Sequence, residues 1–246
     1  MGATKWTLLG GVVVCLLVAG CTGVSTPLTE ESTDQRIDPD ELTATASDVE
    51  TYELEVTRTL QSSAVNETTT IDGVVDRSEQ RAKLTRTVET NVGTDQRRTT
   101  TDQYVIDGTQ YTTDGNEWQQ TPLNAWNDID RLENEVTMLE GTEPADFERI
   151  RTQSIGDIET TMYEVTLGED VEADRFEGDG GGHVPLSVEE YVYYVLVDTE
   201  TDTLYGTDLR MEVNQGGNPA VITIETIVSD TDEPVDITLP EDPTDA

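Results

Sequence analysis

The residue types that most often perform chemistry in proteins are scarce in this chain or poorly positioned. The chain has one histidine, His183, which lies in a glycine-rich stretch that would orient a side chain poorly. A serine–histidine–aspartate site needs an oriented histidine, and no Gly-x-Ser-x-Gly turn is present. A single histidine also excludes a two-histidine metal site. We therefore expect no catalytic residue, no metal ligands and no enzyme activity.

Two further motifs that could hold a ligand do not meet their templates. The acidic run 198–202 has part of the spacing of a calcium loop, but Thr203 replaces the required glycine. Leu209 also stands where that loop needs glutamate. The run is therefore predicted to be a hairpin turn. The glycines within 178–182 lack the lysine of a phosphate-binding loop, so no cofactor is expected.

The charge balance excludes one class of partner. The chain has 52 acidic and 14 basic residues, and its formal net charge is −38. Phosphate backbones would repel such a chain, so no nucleic-acid partner is expected. Scarce lysine and excess acid are typical of proteins adapted to molar salt, where charges are screened. High charge with 34% hydrophobic residues can also indicate disorder. The regular apolar alternation described below argues against disorder in the main body.

Cys21 is the residue whose surroundings predict a specific modification. Residues 8–18 are apolar or small and follow one positive charge at Lys5, as in an export signal. The run is shorter than the roughly 20 residues that span a membrane. The segment 17–21, Leu-Val-Ala-Gly-Cys, resembles the lipobox of secreted lipoproteins. The resemblance implies a signal peptide over 1–20 and a lipid on the new terminal cysteine.

A lipid on Cys21 would anchor the protein in the cell membrane, facing the outside. The open alternatives are an uncleaved membrane anchor and an ordinary signal peptide. The composition of 21–37 predicts a disordered tether, and 241–246 is predicted to be a disordered tail. Asn66-Glu67-Thr68 is a glycosylation sequon, which suits an exposed loop of an exported protein but also arises by chance.

Strands must position most of the chain, because its apolar residues alternate with polar ones. Between 51 and 60 the even positions include Tyr52, Leu54 and Val56, and the odd positions are polar. The run 191–197 is apolar on both faces and predicts a central strand, either covered on both sides or lining a cavity on one face. Asp107-Gly108 and Asp114-Gly115 predict hairpin turns. Further alternation predicts strands over 71–75, 82–88, 163–167, 205–213, 222–228 and 235–239.

Two helices are predicted among these strands. Asp38 and Pro39 are suited to begin a short helix over 39–48. The second helix is predicted to be long, with Asn124 as its N-cap and Gly141 as its stop. Its apolar stripe either packs in the core or forms a lid over a curved sheet. The residues that recur at helical spacing are Trp126, Ile129, Leu132, Val136 and Leu139.

Two arginines interrupt the apolar alternation of the strands. Arg58 and Arg86 occupy positions whose neighbours two residues away are apolar. Each could lie near a strand end and extend to a neighbouring carboxylate. The alternative is a cationic spot within an apolar concavity, which would suit a lipid headgroup.

The order of these elements resembles that of the LolA-like lipoprotein superfamily. The carrying segments are Tyr104–Tyr111 followed by Asp114-Gly115 and Trp118, then 197–204, and the ending 235–240. That superfamily includes lipoprotein carriers and the mycobacterial lipid-binding lipoproteins. The resemblance implies a half-barrel over 38–240 whose concave face is covered by helices and holds acyl chains. The acidity differs from that family and resembles secreted lipoproteins of halophilic archaea, whose single membrane argues against an outer-membrane carrier.

The predicted fold is therefore mainly β with some α. It is a curved antiparallel half-barrel with a short N-terminal helix and one long amphipathic helix over the concave face. A lipid or another hydrophobic ligand is expected in an apolar cavity. The alternative is a surface sensor or interaction lipoprotein whose core is self-filled; no protein partner is identified. The expected cavity residues are Tyr52, Leu54, Val56, Arg58, Arg86, Trp126, Ile129, Leu132, Val136 and Leu139.

Overall fold

A computed structural model describes residues 37–167, 186–215 and 217–240. The predicted signal peptide, Cys21, the tether up to residue 36, His183 and the predicted tail lie outside the described residues. The chain divides between residues 35 and 36, and every described residue belongs to the second part.

Within the described residues, eleven strands form one antiparallel sheet, and two α-helices accompany it. The sheet order is β6-β5-β4-β3-β2-β1-β11-β10-β9-β8-β7, so the chain runs outward from β1 and returns to it through β11. The sheet is curved and unclosed, with β6 and β7 as its edges. The helices are α1 Pro39–Asp48 and α2 Arg131–Leu139; the strands are β1 Thr51–Ser62, β2 Asn66–Asp76, β3 Arg81–Val92, β4 Asp95–Ile106, β5 Thr109–Thr113, β6 Trp118–Pro122, β7 Phe147–Ile155, β8 Ile158–Val165, β9 Leu186–Asp198, β10 Leu204–Gln215 and β11 Asn218–Ser229.

The alternation in β1 separates the two faces of the sheet as predicted. Tyr52, Leu54 and Val56 are buried, whereas Glu53 and Glu55 between them are exposed. We call the side that carries the three buried residues the inner face. Directly paired residues of neighbouring strands share a face, so the ladder registers extend this assignment across the sheet.

Both helices pack on the inner face and share its hydrophobic core. Leu42 and Ala46 of α1 are each 2% exposed, and Leu132 and Leu139 of α2 are each 1% exposed. The short first helix begins as predicted, because the Asp38 side chain accepts a hydrogen bond from the backbone N–H of Asp40 at 3.1 Å. This N-cap satisfies one of the free donors at the start of the helix.

The second helix is shorter than the sequence pattern predicts, and this prediction was wrong. Helix α2 has nine residues and begins after Asp130, not after Asn124. A separate 3₁₀ turn covers Trp126–Asp128. The predicted helix is interrupted at Asp130, because the Asp130 carboxylate accepts a hydrogen bond from the backbone N–H of Glu133 and so caps a new helix. The apolar spacing continues across the break because Ile129 and the helix bury the same side.

The predicted strand over 235–239 is also wrong. Residues 231–240 form no ladder, because both sides of β1 are already paired with β2 and β11. Asp230 and Asp232 turn the chain with φ angles of 47° and 60°. The backbone N–H of Asp232 then bonds the carbonyl of Thr51 at 2.8 Å. Ile237 is nevertheless only 6% exposed. The alternation over 235–239 therefore predicts a buried side chain correctly, although the segment pairs with no other strand.

The predicted turns are confirmed. Asp107 and Gly108 both have positive φ angles, 51° and 72°, and join β4 to β5. Residues 199–203 join β9 to β10 as a hairpin. Strand β9 lies inside the sheet, between β8 and β10, as its two-sided apolar pattern predicts.

Candidate functional site

Seven of the ten predicted cavity residues meet in one buried cluster on the inner face. Their exposed fractions range from 0% for Tyr52 to 7% for Val56. Trp126 is half-buried and packs against this cluster. Arg58 and Arg86 lie outside it. The seven buried residues are Tyr52, Leu54, Val56, Ile129, Leu132, Val136 and Leu139. Their side chains fill the space between α2 and the sheet.

A buried carboxylate, Asp130, anchors the start of α2 to the sheet. Asp130 is 2% exposed. It accepts hydrogen bonds from the Tyr52 hydroxyl at 3.1 Å and from Arg77 Nε at 2.8 Å. The Trp126 indole N–H donates to it at 3.2 Å. Burial, aided by the Asp130 charge, raises the pKa of Tyr52 far above its usual value, so this hydroxyl stays a donor.

Arg77 joins the two helices. Its Nη1 donates to the carbonyls of Ala46, Ser47 and Val49 at the end of α1, at 3.1, 3.0 and 2.8 Å. Its Nη2 pairs with a Glu133 carboxylate oxygen at 2.8 Å. A guanidinium offers five N–H donors in a fixed plane, which suits several acceptors from different elements. Arg77 thus connects the end of α1, the end of β2 and the start of α2.

A second carboxylate, Glu135, lies between α2 and the middle of the sheet. The Tyr193 hydroxyl donates to Glu135 Oε2 at 2.8 Å, and the Thr226 hydroxyl donates to Oε1 at 3.4 Å. The Thr207 hydroxyl hydrogen-bonds the same carboxylate. Burial raises the pKa of Glu135, although these hydrogen bonds act in the opposite direction. Burial, with the Glu135 charge, also raises the pKa of Tyr193 well above its usual value.

Burial on the inner face decreases along β1, away from α1 and Arg77, whereas Ile222 of β11 and Met211 of β10 stay buried beside Leu60. In β1 the inner positions change from buried at Tyr52, Leu54 and Val56 to half-buried at Leu60. We call the half-buried apolar residues of this region the inner stripe. They pack against the core from one side and remain partly open to solvent on the other. The inner stripe consists of Leu60, Ile71, Tyr191 and Ile224.

Arg58 and Arg86 lie on the inner face beside this stripe. Arg58 pairs directly with Ile224 of β11, and Arg86 pairs directly with Ile71 of β2. The Arg58 side chain is 38% exposed, and its Nη1 lies 3.6 Å from a carboxylate oxygen of Glu67. Arg86 is exposed. Both sequence interpretations of Arg58 therefore have a structural counterpart: a neighbouring carboxylate and an apolar surface.

An open cleft of about 400 Å³ lies elsewhere, near the β1–β2 and β10–β11 turns. The cleft takes residues from both faces of the sheet. Gln61, Val221 and Glu212 are cross-strand neighbours on the outer face, and Ser62, Ala220 and Val213 are cross-strand neighbours on the inner face. None of the ten predicted cavity residues lines this cleft. Its lining residues are Gln61, Ser62, Ser63, Asn66, Glu189, Glu212, Val213, Pro219, Ala220 and Val221.

The predicted glycosylation residue, Asn66, is exposed. It begins β2, directly after the β1–β2 turn. Within residues 37–167, 186–215 and 217–240, no group of three histidine, cysteine, aspartate or glutamate residues could hold a metal ion. No helix in the described part of the chain is long and apolar enough to cross a bilayer.

Sequence reasoning missed the polar residues that hold the helices. Arg77 follows β2 and belongs to no local sequence pattern. Its partners Asp130 and Glu133 lie 53 and 56 residues away, so no neighbouring residue indicates its role. In the sequence Tyr193 is only one member of the apolar run 191–197, and its partner Glu135 is 58 residues away. The one available signal was Asp130, an aspartate three residues before Glu133 and thus suited to cap a helix.

LprF and LppX are among the solved structures that are similar to this chain. No protein-family model matches the sequence, and no curated protein matches it. LprF from Mycobacterium bovis is 15% identical with a TM-score of 0.51, covering 82% of this chain and 94% of LprF. The lipoprotein LppX from Mycobacterium tuberculosis is 12% identical with a TM-score of 0.46, covering 81% of this chain and 96% of LppX.

The likeness to LprF concerns the fold. It covers most of both chains, and it supports the fold that the order of the sequence elements implies. An identity of 15% carries no individual residue role from one chain to the other. Similar folds also host unrelated functions, so the function must be argued from the inner face itself.

Proposed function

We propose that this chain is a membrane-anchored, extracytoplasmic lipoprotein that binds a lipid or another hydrophobic ligand on its inner face. The observation that carries the proposal is the inner stripe, Leu60, Ile71, Tyr191 and Ile224. These apolar side chains continue the core yet stay partly open to solvent. The likeness of the fold to LprF is compatible with this role.

The stripe is a better binding surface than the volume beneath α2. Side chains such as Tyr52 and Leu132 already occupy that volume, so a ligand would have to displace the helix. Covering the stripe requires no displacement. Each CH₂ group of a ligand buried there contributes about 0.8 kcal/mol, so one acyl chain supplies substantial affinity.

The anchoring of the protein is part of the proposal. Lipidation of Cys21 would attach it to the cell membrane facing the outside, with 21–37 as a tether and 38–240 as the ligand-binding domain. Asn66, exposed beside the β1–β2 turn, would be the glycosylated residue. No cofactor and no catalytic step enter the proposal.

A second function is a surface sensor or interaction lipoprotein that binds no lipid. The observation in its favour is the filled core between α2 and the sheet, where Leu132 and Leu139 are each 1% exposed. In that case the half-buried stripe would be the rim of a self-filled core.

The distinguishing experiment is mass spectrometry of lipids that copurify with residues 22–246 in molar KCl. Ile224→Glu places a charge in the inner stripe and should abolish copurification. Val221→Glu is the matched control, because Val221 is also half-buried and lies on the opposite face of β11. Circular dichroism checks that both variants are folded.

A stoichiometric lipid in the unchanged chain and in Val221→Glu, but not in folded Ile224→Glu, would support the proposal. The same lipid in all three proteins would contradict the inner stripe as the binding surface. A chain free of lipid that also binds no added fatty acid would favour the sensor or interaction role.

A further inference from the structure

The charges on the inner face differ from those of the rest of the chain. Across β1–β4 the inner positions hold three arginines and two acidic residues, although the chain as a whole has a formal net charge of −38. The opposite face of the same strands carries twice as many acidic as basic residues. The inner residues are Arg58, Arg86, Arg97, Glu67 and Asp95; the outer ones are Arg81, Lys83, Arg98, Glu53, Glu55, Asp72, Asp76, Glu89 and Asp102. The inner face therefore has the local charge that attracts an anion.

A buried hydroxyl lies among these arginines. Thr69 is 5% exposed, and its Oγ1 has no hydrogen-bond partner among the described residues. Thr69 pairs directly with Arg58 on β1 and with Val88 on β3, so it shares the inner face with them. A buried hydroxyl without a partner costs stability, and native structures contain few of them. Such a group points to an acceptor that binds here.

The two arginines beside Thr69 have donors to spare. Arg58 contacts Glu67 at 3.6 Å, which is too long for a hydrogen bond. Arg86 forms no ion pair within the described parts of the chain. The registers place Arg58 and Arg86 two strands and two residues apart, or about 12 Å between Cα atoms. Side chains of this length can both reach a group above Thr69.

We propose that Arg58, Thr69 and Arg86 bind the anionic headgroup, a carboxylate or phosphate, of a lipid whose chain covers the inner stripe. This inference rests on the proposed function and specifies the class of its ligand. Arg58 and Arg86 supply paired, charge-assisted hydrogen bonds, and the Thr69 hydroxyl donates a third. Ile224 and Ile71, the direct partners of the two arginines, begin the apolar surface at the headgroup. The ligand anion would replace Glu67 as the contact of Arg58.

Fluorescence titration with cis-parinaric acid and with its methyl ester tests the headgroup site. The two probes share one apolar chain and differ in the carboxylate. In residues 22–246 at molar KCl, we expect the acid to bind at least about tenfold more tightly than the ester, because a charge-assisted hydrogen bond is lost in the ester. Direct contacts of this kind persist in salt that screens longer-range attraction.

Variants locate the preference for the acid. Arg58→Gln and Thr69→Val should each reduce the affinity for the acid while the affinity for the ester changes less than about twofold. Thr69→Val should also raise the melting temperature, because it removes an unpaired buried hydroxyl and keeps the side-chain shape. Arg98→Gln is the matched control, since Arg98 lies on the outer face and pairs with Glu89 at 3.2 Å.

The outcomes separate this inference from the proposed function. An acid preference that Arg98→Gln keeps and both inner variants lose would support it. Equal binding of acid and ester, or a preference that all variants keep, would overturn the headgroup site and leave lipid binding intact. Absence of binding by both probes would overturn both proposals. Inorganic phosphate that alone binds as tightly as the acid would overturn the lipid as the source of the anion.

Discussion

Two carboxylates, Asp130 and Glu135, lie where α2 meets the sheet. Glu135 receives hydrogen bonds from Tyr193 and Thr226, and these reduce the cost of burying its charge. They do not remove that cost, because burial still raises the pKa of Glu135. Because the pKa of Glu135 is raised, the packing of α2 on the sheet should depend on pH.

Replacing Glu135 with glutamine should flatten the pH dependence of stability. The folded pKa is raised, so the folded chain holds this proton to higher pH than the unfolded chain does. The proton on Glu135 therefore contributes to the free energy of unfolding. This contribution is fully present below the pKa of the unfolded chain, about 4.5, and is lost as the pH rises through the pKa of Glu135 in the folded chain. Above that window, Glu135→Gln should therefore have the larger free energy of unfolding. Urea unfolding from pH 4 to pH 8 measures this.

Glu140→Gln serves as the control for Glu135→Gln, because Glu140 is exposed at the end of the same helix. Both substitutions remove one acid from a chain that has 52 acidic residues, so background titration changes equally. Identical pH profiles for the two variants would contradict the burial of the Glu135 charge.

Among the elements, α1 and α2 are held by one arginine as well as by apolar contact. Arg77 bonds three carbonyls at the end of α1 and two carboxylates at the start of α2. Its side chain is 12% exposed and the Asp130 side chain 3% exposed, so neither charge is well solvated. Such a pair is costly to break, because the remaining charge stays buried.

Arg77→Gln should lower the free energy of unfolding by about 3 kcal/mol, the usual cost of leaving a buried charge without its partner. Thermal unfolding followed by circular dichroism measures the loss. Arg210→Gln is the control, since Arg210 and its partner Glu212 are both about half exposed. A surface pair contributes about 0–1 kcal/mol, so the control should change little. Equal losses in both variants would contradict the role of Arg77.

The elements show how far local pattern predicts this structure. The period of two in β1 and the Asp38 cap of α1 predicted both elements correctly, because each depends on neighbours in sequence. Strand β7 and the first half of β4 were not predicted. Their residues are largely exposed, so no apolar alternation marks them. The break before α2 was missed because helical spacing continued across it.

At the scale of the whole molecule, charge repulsion opposes folding. Asp208 and Glu225 are direct cross-strand partners on the outer face. Burial raises the pKa of both, and the charges of Asp208 and Glu55 raise that of Glu225 further. Like charges placed directly opposite each other destabilise a sheet. With a net charge of −38, the same repulsion acts over the entire chain.

The stability of the protein should therefore rise with salt. Between about 0.1 M and about 2 M KCl the screening length falls from about 10 Å to below about 3 Å, which removes most of the repulsion. We expect the melting temperature, measured by circular dichroism, to rise with each increase in the KCl concentration over this range. A melting temperature that stays constant or falls with KCl would contradict the expected adaptation to molar salt.

The sequence by itself determined the features that depend on neighbouring residues. These are the acidic charge, the predicted export and lipidation signal at Cys21, the alternation of the main strands and the hairpin turns. It also identified Tyr52, Leu132 and the other buried residues as apolar stripes, although not what covers each of them. Stripes and turns are local because strand and helix periods act over a few residues.

Only the tertiary structure decided which stripes meet and what holds them. It placed β11 beside β1, left 235–239 without a strand partner and brought Arg77 to Asp130 across 53 residues of sequence. It also turned Arg58, Thr69 and Arg86 toward one face through the registers of three strands. Such contacts depend on strand order and register. These are set by the burial of the whole sheet and not by any single segment.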